Sequence, residues 1–342
     1  MAYFRQLDDQ LEQLLGLFDK DQKWLICINA DPDALASAMA LRRIMQRRVA
    51  EVGIAQINEV KRPDNLAMIK YLRIPTTKLT QKLASEYDHY AIVDSQPAHN
   101  PAFEHYRFSI VIDHHPVASG GGLAGAYVDI KPEYGACSTL LLEYLYNLNI
   151  EPASYLATSL LYGIKSDTQS FERDFIDIDV RAFRYLSKFA NNLILKKIVR
   201  SEYRLEWLDY FREALDKVEI LDHGAFVYLG EVDNPDILVI LADFFLHVHE
   251  INWTAVAGTC KDTLSVIFRG DGIKQHVGEM AKDLFSDVGS AGGHVGAARA
   301  EIDLGEQDRE PMDLLCERFE SKRIKECLQR AKPKKESKSK AD

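Results

Sequence analysis

The feature that most constrains the fold is a set of four apolar segments, each running into acidic or imidazole side chains. Trp24–Asn29 leads to Asp31-Pro-Asp33 and Tyr90–Val93 to Asp94; Phe108–Ile112 leads to Asp113-His114-His115 and Leu160–Ile164 to Lys165-Ser-Asp167. The first three runs are short and rich in β-branched or aromatic residues, as buried strands are. Helical stretches lie between them, notably Ala34–Met45. Such alternation implies a mostly parallel sheet covered by helices on both faces. In an open sheet of that kind, ligands gather at the carboxyl edge of the strands, where these polar residues fall.

Aspartates collected at one edge repel one another, so a fold that gathers several neutralises them with a cation. Carboxylates combined with imidazole suit Mn²⁺, Fe²⁺ or Zn²⁺. One aspartate at a helix start is ordinarily a cap. Four such positions, one of them D-H-H, exceed what capping requires. Five or six ligands can hold two ions that share a carboxylate, an arrangement that activates water and stabilises charge at a phosphorus centre.

The chain of 342 residues is long enough for two domains with separate cores. An N-terminal helix is expected over Leu7–Phe18, a further strand over Ala55–Val60, and apolar helices over Ser138–Leu148 and Ala153–Lys165. Ile178–Phe211 reads as helical and charged. From Val218 the pattern shifts to β-rich runs (Ala225–Leu229, Thr254–Thr259, Thr263–Phe268) around an apolar helix at Ile237–Phe245, followed by a Gly-rich segment. The fold class is therefore α/β: a doubly wound, mostly parallel sheet domain over residues 1–190, a helical linker over 191–217, and a smaller mixed α/β domain over 218–328. Residues 329–342 form a Lys-rich tail with the composition of disorder.

Net charge is −10, which argues against long duplex nucleic acid as a partner, since that needs a broad basic face. A short RNA or a nucleotide in a locally basic cleft is compatible with it. The five cysteines are scattered and form no C-x-x-C pair, so neither a disulfide framework nor a zinc ribbon is expected. The N-terminus lacks the apolar core of a signal peptide, and no apolar run reaches the roughly 18–20 residues of a membrane span. A cytoplasmic protein without membrane contact is expected, and a homodimer is compatible with the sequence.

The segments I-N-A-D-P-D-A-L-A-S, V-D-S-Q-P, V-I-D-H-H-P and G-I-K-S-D-T-Q-S-F resemble, in order and spacing, the four motifs of the DHH phosphoesterases. Phe268-Arg269 and Ala291-Gly-Gly-His-Val-Gly-Ala-Ala298 resemble that family's associated substrate-binding domain. The resemblance covers roughly residues 20 to 305 and is nearest to the nanoRNase and 3′-phosphoadenosine-5′-phosphate phosphatase branch. It implies two divalent cations, Mn²⁺ first, with Asp31 and Asp94 on one ion and Asp33, Asp94, His114 and Asp167 on the other. It further implies His115 beside the scissile phosphate, Asp113 orienting an imidazole, and Arg269 and His294 clamping the substrate's far end across a cleft. Gly292 and Gly293 would let backbone approach that end closely. The implied substrates are short oligoribonucleotides, linear dinucleotides or 3′-phosphoadenosine-5′-phosphate. Cyclic dinucleotides are an alternative substrate.

Two positions depart from the family pattern. Cys27 stands where the family places a metal-binding histidine, four residues before Asp31. Its consequence is a thiolate ligand that shifts preference toward Zn²⁺ or Fe²⁺, a weakened first site, or a nucleotide-binding sensor without turnover. Asn29, two residues on, points to the same face by strand alternation and could compensate. Arg299 replaces a small residue and adds charge near the G-G-H segment. The pair His247 and His249 reads as structural rather than metal-binding, and Tyr203, Trp207 and Tyr210 as inter-domain packing.

Overall fold

In a computed structural model, the structure describes residues 3–117, 125–306 and 310–320. The Lys-rich tail lies outside the described residues. The chain divides after Tyr203 into two compact units.

The first unit begins with α1 (Asp8–Leu15) and alternates strands with helices. These are β1 (Lys23–Ile28), α2 (Pro32–Met45), β2 (Glu51–Gln56), α3 (Pro63–Leu72), β3 (Thr76–Lys78), α4 (Gln81–Ala84), β4 (His89–Val93), β5 (Phe108–Asp113) and β6 (Tyr127–Ile130). Four helices follow: α5 (Cys137–Asn147), α6 (Ser154–Asp167), α7 (Asp177–Leu186) and α8 (Asn192–Val199). The six strands lie in the order β3-β2-β1-β4-β5-β6, and every pairing is parallel. Strand order reverses between β1 and β4, which makes the carboxyl ends of those two strands the topological switch point. Between β4 and β5 the register shifts by one residue: Tyr90 pairs with Phe108 but Ala91 with Ile110.

The sheet is apolar on both faces. Trp24, Ile26 and Ile28 of β1 pack with α2, α5 and α6 into the larger core cluster, whereas Leu25 and Cys27 enter a smaller one with Ile92, Phe103 and Val111. The period of two thus assigns alternate residues of one strand to different cores. Helices α2 and α6 approach closely because residue 163 is glycine. A Cβ there would lie 2.4 Å from Ser138 Oγ and 2.9 Å from Asp33 Oδ1.

The second unit holds α9 (Leu208–Lys217), β7 (Glu219–Leu221), β8 (Gly224–Glu231), α10 (Asp236–Leu246), β9 (Trp253–Cys260), β10 (Thr263–Gly270), α11 (Val277–Phe285), β11 (Ser290–Gly293), β12 (Ala297–Asp303) and α12 (Pro311–Arg318). Its sheet runs β11-β12-β10-β9-β8-β7, antiparallel except between β8 and β9. Helix α10 covers one face and α11 with α12 the other. Trp207 is buried in this unit's own core.

Three local expectations change. The strand expected over Ala55–Val60 lies earlier, at Glu51–Gln56, because the chain turns toward Pro63 and α3. The helical stretch over Ile178–Phe211 is three helices. One break falls at Asn191, whose side chain accepts the Leu193 and Ile194 N–H groups and restarts the chain as α8. Strands β3 and β6 were not anticipated; at three and four residues they carry too little periodicity to read. Among the described residues, no helix is long and apolar enough to cross a membrane.

The Gly163 contact yields a stability prediction. Gly163→Ala is expected to destabilise the chain by about 1–3 kcal/mol through overpacking between α2, α5 and α6. Urea unfolding measures this, and an unchanged midpoint would show that the helices yield without cost.

Candidate metal centre

The site is built at the carboxyl edge of the parallel sheet. After β1, Asn58 clamps the turn: its Oδ1 accepts the Ala30 N–H at 2.7 Å and its Nδ2 donates to the Ala30 carbonyl at 2.9 Å. Asp31 then caps α2, accepting the Ala34 N–H at 2.9 Å. Asp33, in the first turn of α2, is fully buried, and its two oxygens accept the Cys137 and Ser138 N–H groups at 2.6 and 2.8 Å. The N-terminus of α5 therefore holds this carboxylate, where the helix dipole favours negative charge.

Asp94 follows β4 in the left-handed region at φ 57°, a conformation that Asp tolerates better than most residues. Its N–H donates to the Ile112 carbonyl at 2.9 Å, which locks the turn to β5. His114 follows β5, and Asp167 closes α6. Gln169, Ser170 and Phe171 are all left-handed and turn the chain away immediately afterwards.

These placements bring Asp33, Asp94, His114 and Asp167 together, with one ligand atom from each lying within 4.8 Å of all the others. His114 Nδ1 lies 3.0 Å from the Tyr134 carbonyl, an acceptor, so this nitrogen carries a proton. Nε2 faces Asp167 Oδ2 at 3.2 Å, Asp94 Oδ1 at 3.3 Å and Asp33 Oδ2 at 4.0 Å. Nε2 and both Asp94 oxygens are buried without a hydrogen-bond partner among the described residues. In the neutral tautomer, four electron-rich atoms face one another with nothing positive between them. Either a proton on Nε2 or a cation resolves this, and the donor set of three carboxylates and one imidazole fits a divalent first-row ion.

The titration behaviour carries the same message. Burial pushes Asp33 up, Asp167 adds to the effect, and His114 and Ser138 oppose it, leaving a value of about 6. Burial, Asp33 and Asp31 raise Asp94 well above the carboxylate range. Burial likewise raises Asp167 against the pull of His114, and it raises Asp31 against the Ala34 N–H. For His114, burial works against the charged form, but the Asp167 and Asp94 carboxylates prevail and push it up to about 12.

Beside this cluster, Asp113 is buried, and its Oδ1 lies 2.8 Å from His115 Nδ1 and accepts the His114 N–H at 2.9 Å. Its Oδ2 accepts Gln96 Nε2 at 2.8 Å. Burial disfavours the Asp113 charge, yet His115 and Gln96 hold its pKa below the usual value, and the Asp113 contact in turn raises that of His115. Sequence reasoning assigned no role to Gln96 or to His99, whose Nδ1 accepts the Gln96 N–H and whose ring meets His115 edge-on at 5.6 Å. Gln96 is the glutamine of V-D-S-Q-P itself, and His99 follows that segment by two residues. Tyr134 was also missed, because it contributes a backbone carbonyl, which no side-chain pattern marks.

Cys27 and Asn29 are not brought into the cluster. Cys27 is fully buried in the smaller apolar core, and Asn29 is exposed. Asp31 borders the cluster but belongs to none of the converging ligand groups among the described residues.

In the second unit, Arg269 on β10 donates from Nε to Asp243 Oδ1 at 2.7 Å and from Nη1 to the Phe268 carbonyl at 3.0 Å, which fixes the plane of its guanidinium. Gly292 and Gly293 end β11. At Gly293, with φ 154°, a Cβ would fall 2.3 Å from the Ala297 carbonyl oxygen. His294 is exposed, and its backbone pairs with Ala297 and Gly278. Arg299 is engaged by Glu301 at 2.5 Å. His247 Nδ1 turns back onto the Asp243 carbonyl at 2.7 Å.

No family model matches the chain. It is similar to two uncharacterised proteins of Methanocaldococcus jannaschii. One is 34% identical over 81% of this chain and 57% of that protein; the other is 25% identical over 55% and 56%. The chain thus spans less than two thirds of the length of either relative. Among solved structures it is similar to an exopolyphosphatase-related protein from Bacteroides fragilis, with TM-score 0.69 and 15% identity over 94% of this chain and 95% of the other. The two share a fold. Weaker likenesses are to a putative family II inorganic pyrophosphatase from Methanococcus jannaschii (TM-score 0.45, 16% identity, 87% and 99% covered) and a pGpG-specific phosphodiesterase from Vibrio cholerae (0.40, 12%, 86% and 98%).

The raised pKa values give a pH prediction for the metal-free protein. Asp33 binds its proton more tightly folded than unfolded, so stability falls as pH rises from about 4 through about 6. Raised His114 acts in the same direction, from about 6.5 upward. A divalent ion replaces those protons, so Mn²⁺ is expected to raise the melting temperature more at pH 8 than at pH 5. Differential scanning fluorimetry reads this, and an equal shift at both pH values contradicts it.

Proposed function

We propose that the chain is a divalent-metal-dependent phosphoesterase of the DHH type. Its proposed substrates are short oligoribonucleotides, linear dinucleotides and 3′-phosphoadenosine-5′-phosphate. The observation that carries this reading is His114, which is committed through Nδ1 to a backbone carbonyl and presents Nε2 to three carboxylates. The ordered motifs that place those residues support it.

Asp33, Asp94, His114 and Asp167 would hold the ion, which supplies Lewis-acid polarisation of a phosphoryl oxygen and a lowered pKa for attacking water. The residues around it do the rest. His115 has a half-exposed side chain and is tied through Nδ1 to Asp113, so its Nε2 is free to donate to a phosphate oxygen or to the departing sugar oxygen. The bond to Asp113 raises the pKa of that imidazole and so favours its charged form. Gln96 also reaches the carbonyls of His115 and Pro116 at 3.2 Å, which steadies the turn that carries the imidazole. The resemblance implies that Arg269 of the second unit would contact a second phosphate of the substrate; His294 stands exposed on the turn after β11.

A second reading, a nucleotide-binding sensor without turnover, draws on Cys27, which stands where the resemblance calls for histidine. Hydrolysis of a 5′-phosphorylated RNA dinucleotide and of 3′-phosphoadenosine-5′-phosphate, with Mn²⁺, Fe²⁺, Zn²⁺ and Mg²⁺ tested separately, decides between them. Metal-dependent turnover is expected, with Asp94→Ala and His114→Ala each lowering kcat/KM by about 100-fold or more. Turnover that survives both substitutions sinks the proposed centre, and nucleotide binding without turnover favours the sensor.

Arg269→Ala is expected to raise KM about tenfold with little change in kcat, as loss of uniform substrate binding does. A fall in kcat with KM unchanged would instead place Arg269 in the chemical step.

A further inference from the structure

The resemblance implies two metal positions sharing Asp94, and the two are not equally built in this chain. The position among Asp33, Asp94, His114 and Asp167 has its four donors converged. The other would draw on Cys27, Asp31 and Asp94.

Cys27 is misplaced along the strand. It pairs with Ile92, which pairs with Val111. It therefore sits two residues below Asp94, roughly 6–7 Å down the sheet. An imidazole extends several bonds beyond its Cβ, whereas a cysteine sulfur is bonded directly to it and cannot span that rise.

Cys27 is also on the wrong face. It packs with Leu25, Ala55, Ile92, Phe103 and Val111, while Asp33 and Asp167 come from α2 and α6, which cover the opposite side. Burial alone pushes the thiol up to about 12, which works against the thiolate that metals bind. Asp31 has one oxygen engaged at the start of α2, and Asn29 points to solvent. Of the three donors, only Asp94 stands in the cluster, and it already serves the first position.

We propose that this chain builds a single resident metal position, Asp33-Asp94-His114-Asp167, and that Cys27 is a core residue rather than a ligand. The inference rests on the metal-centre reading and narrows it. Unaided, the protein does not retain a second ion. One that took part in a reaction would arrive with the substrate, whose phosphate oxygens supply the missing donors.

The test loads the chain of 342 residues with Co²⁺ and, separately, with Mn²⁺ in the absence of substrate. Metal content is read by mass spectrometry after equilibrium dialysis, together with the Co²⁺ absorption and Mn²⁺ paramagnetic resonance spectra. The expected result is a single ion per chain, no sulfur-to-cobalt charge-transfer band, and an uncoupled Mn²⁺ spectrum. Cys27→Ser is expected to bind the ion within about twofold of wild type, and His114→Ala to lose about 100-fold in affinity. Two ions per chain with an exchange-coupled spectrum, or a thiolate band, would overturn the proposal. The wild-type spectra decide this even if Cys27→Ser does not fold. An absence of bound ion in wild type would overturn the metal centre itself, a distinct failure.

Discussion

The carboxylate of Asp33 is the interaction on which the first unit depends. It sits in the first turn of α2, receives two N–H groups from the start of α5, and lies against the glycine that lets α6 approach. Three helices are thereby registered against one side chain. The same side chain stands 4.0 Å from the His114 imidazole. Packing and chemistry are not separable here: the helix N-terminus that makes a buried carboxylate tolerable also sets where its lone pairs can point.

A second chain of contacts reaches the site from the N-terminal segment. Arg5 pairs with buried Glu143 at 2.7 Å, and Glu143 accepts the Tyr134 hydroxyl at 2.9 Å. The Tyr134 carbonyl in turn accepts His114 Nδ1–H. Asp179 fixes the adjacent turn by accepting the Gly135 N–H at 3.0 Å and the Thr139 hydroxyl at 2.6 Å. The His114 imidazole is thus oriented by residues far away in sequence, from half-exposed Arg5 through buried Glu143 and Tyr134.

The sequence made the sheet legible because β1, β4 and β5 are apolar runs ending in polar residues, and parallel strands buried on both faces have no other pattern. It also made the four converging ligands legible, since each is the first or second polar residue after such a run or closes an apolar helix. What it hid was tertiary. The direction of Cys27 follows from which neighbour each alternate residue meets, and strand alternation alone does not say which face carries the ligands. Gln96 acts through Asp113 and Tyr134 through its backbone, so neither has a residue-type signature. Strands β3 and β6 form only because the edges of the sheet are there to receive them.

The one-residue shift between Tyr90–Phe108 and Ala91–Ile110 has a consequence for how this chain tolerates changes in length. Ser109 is the residue skipped over, so everything beyond it on β5 is one step out of phase with the start of the strand. Phe108 lies with its partner Tyr90 in one core cluster and Ile110 with its partner Ala91 in the other, so a strand without Ser109 would alternate regularly and keep Asp113 and His114 on their present sides. Insertions in the loops between elements leave this phase alone. At Ser109 a codon lost straightens the strand and leaves the imidazole where it is, whereas one lost within the regular stretch from Ile110 to Ile112 would change which face of the sheet carries it.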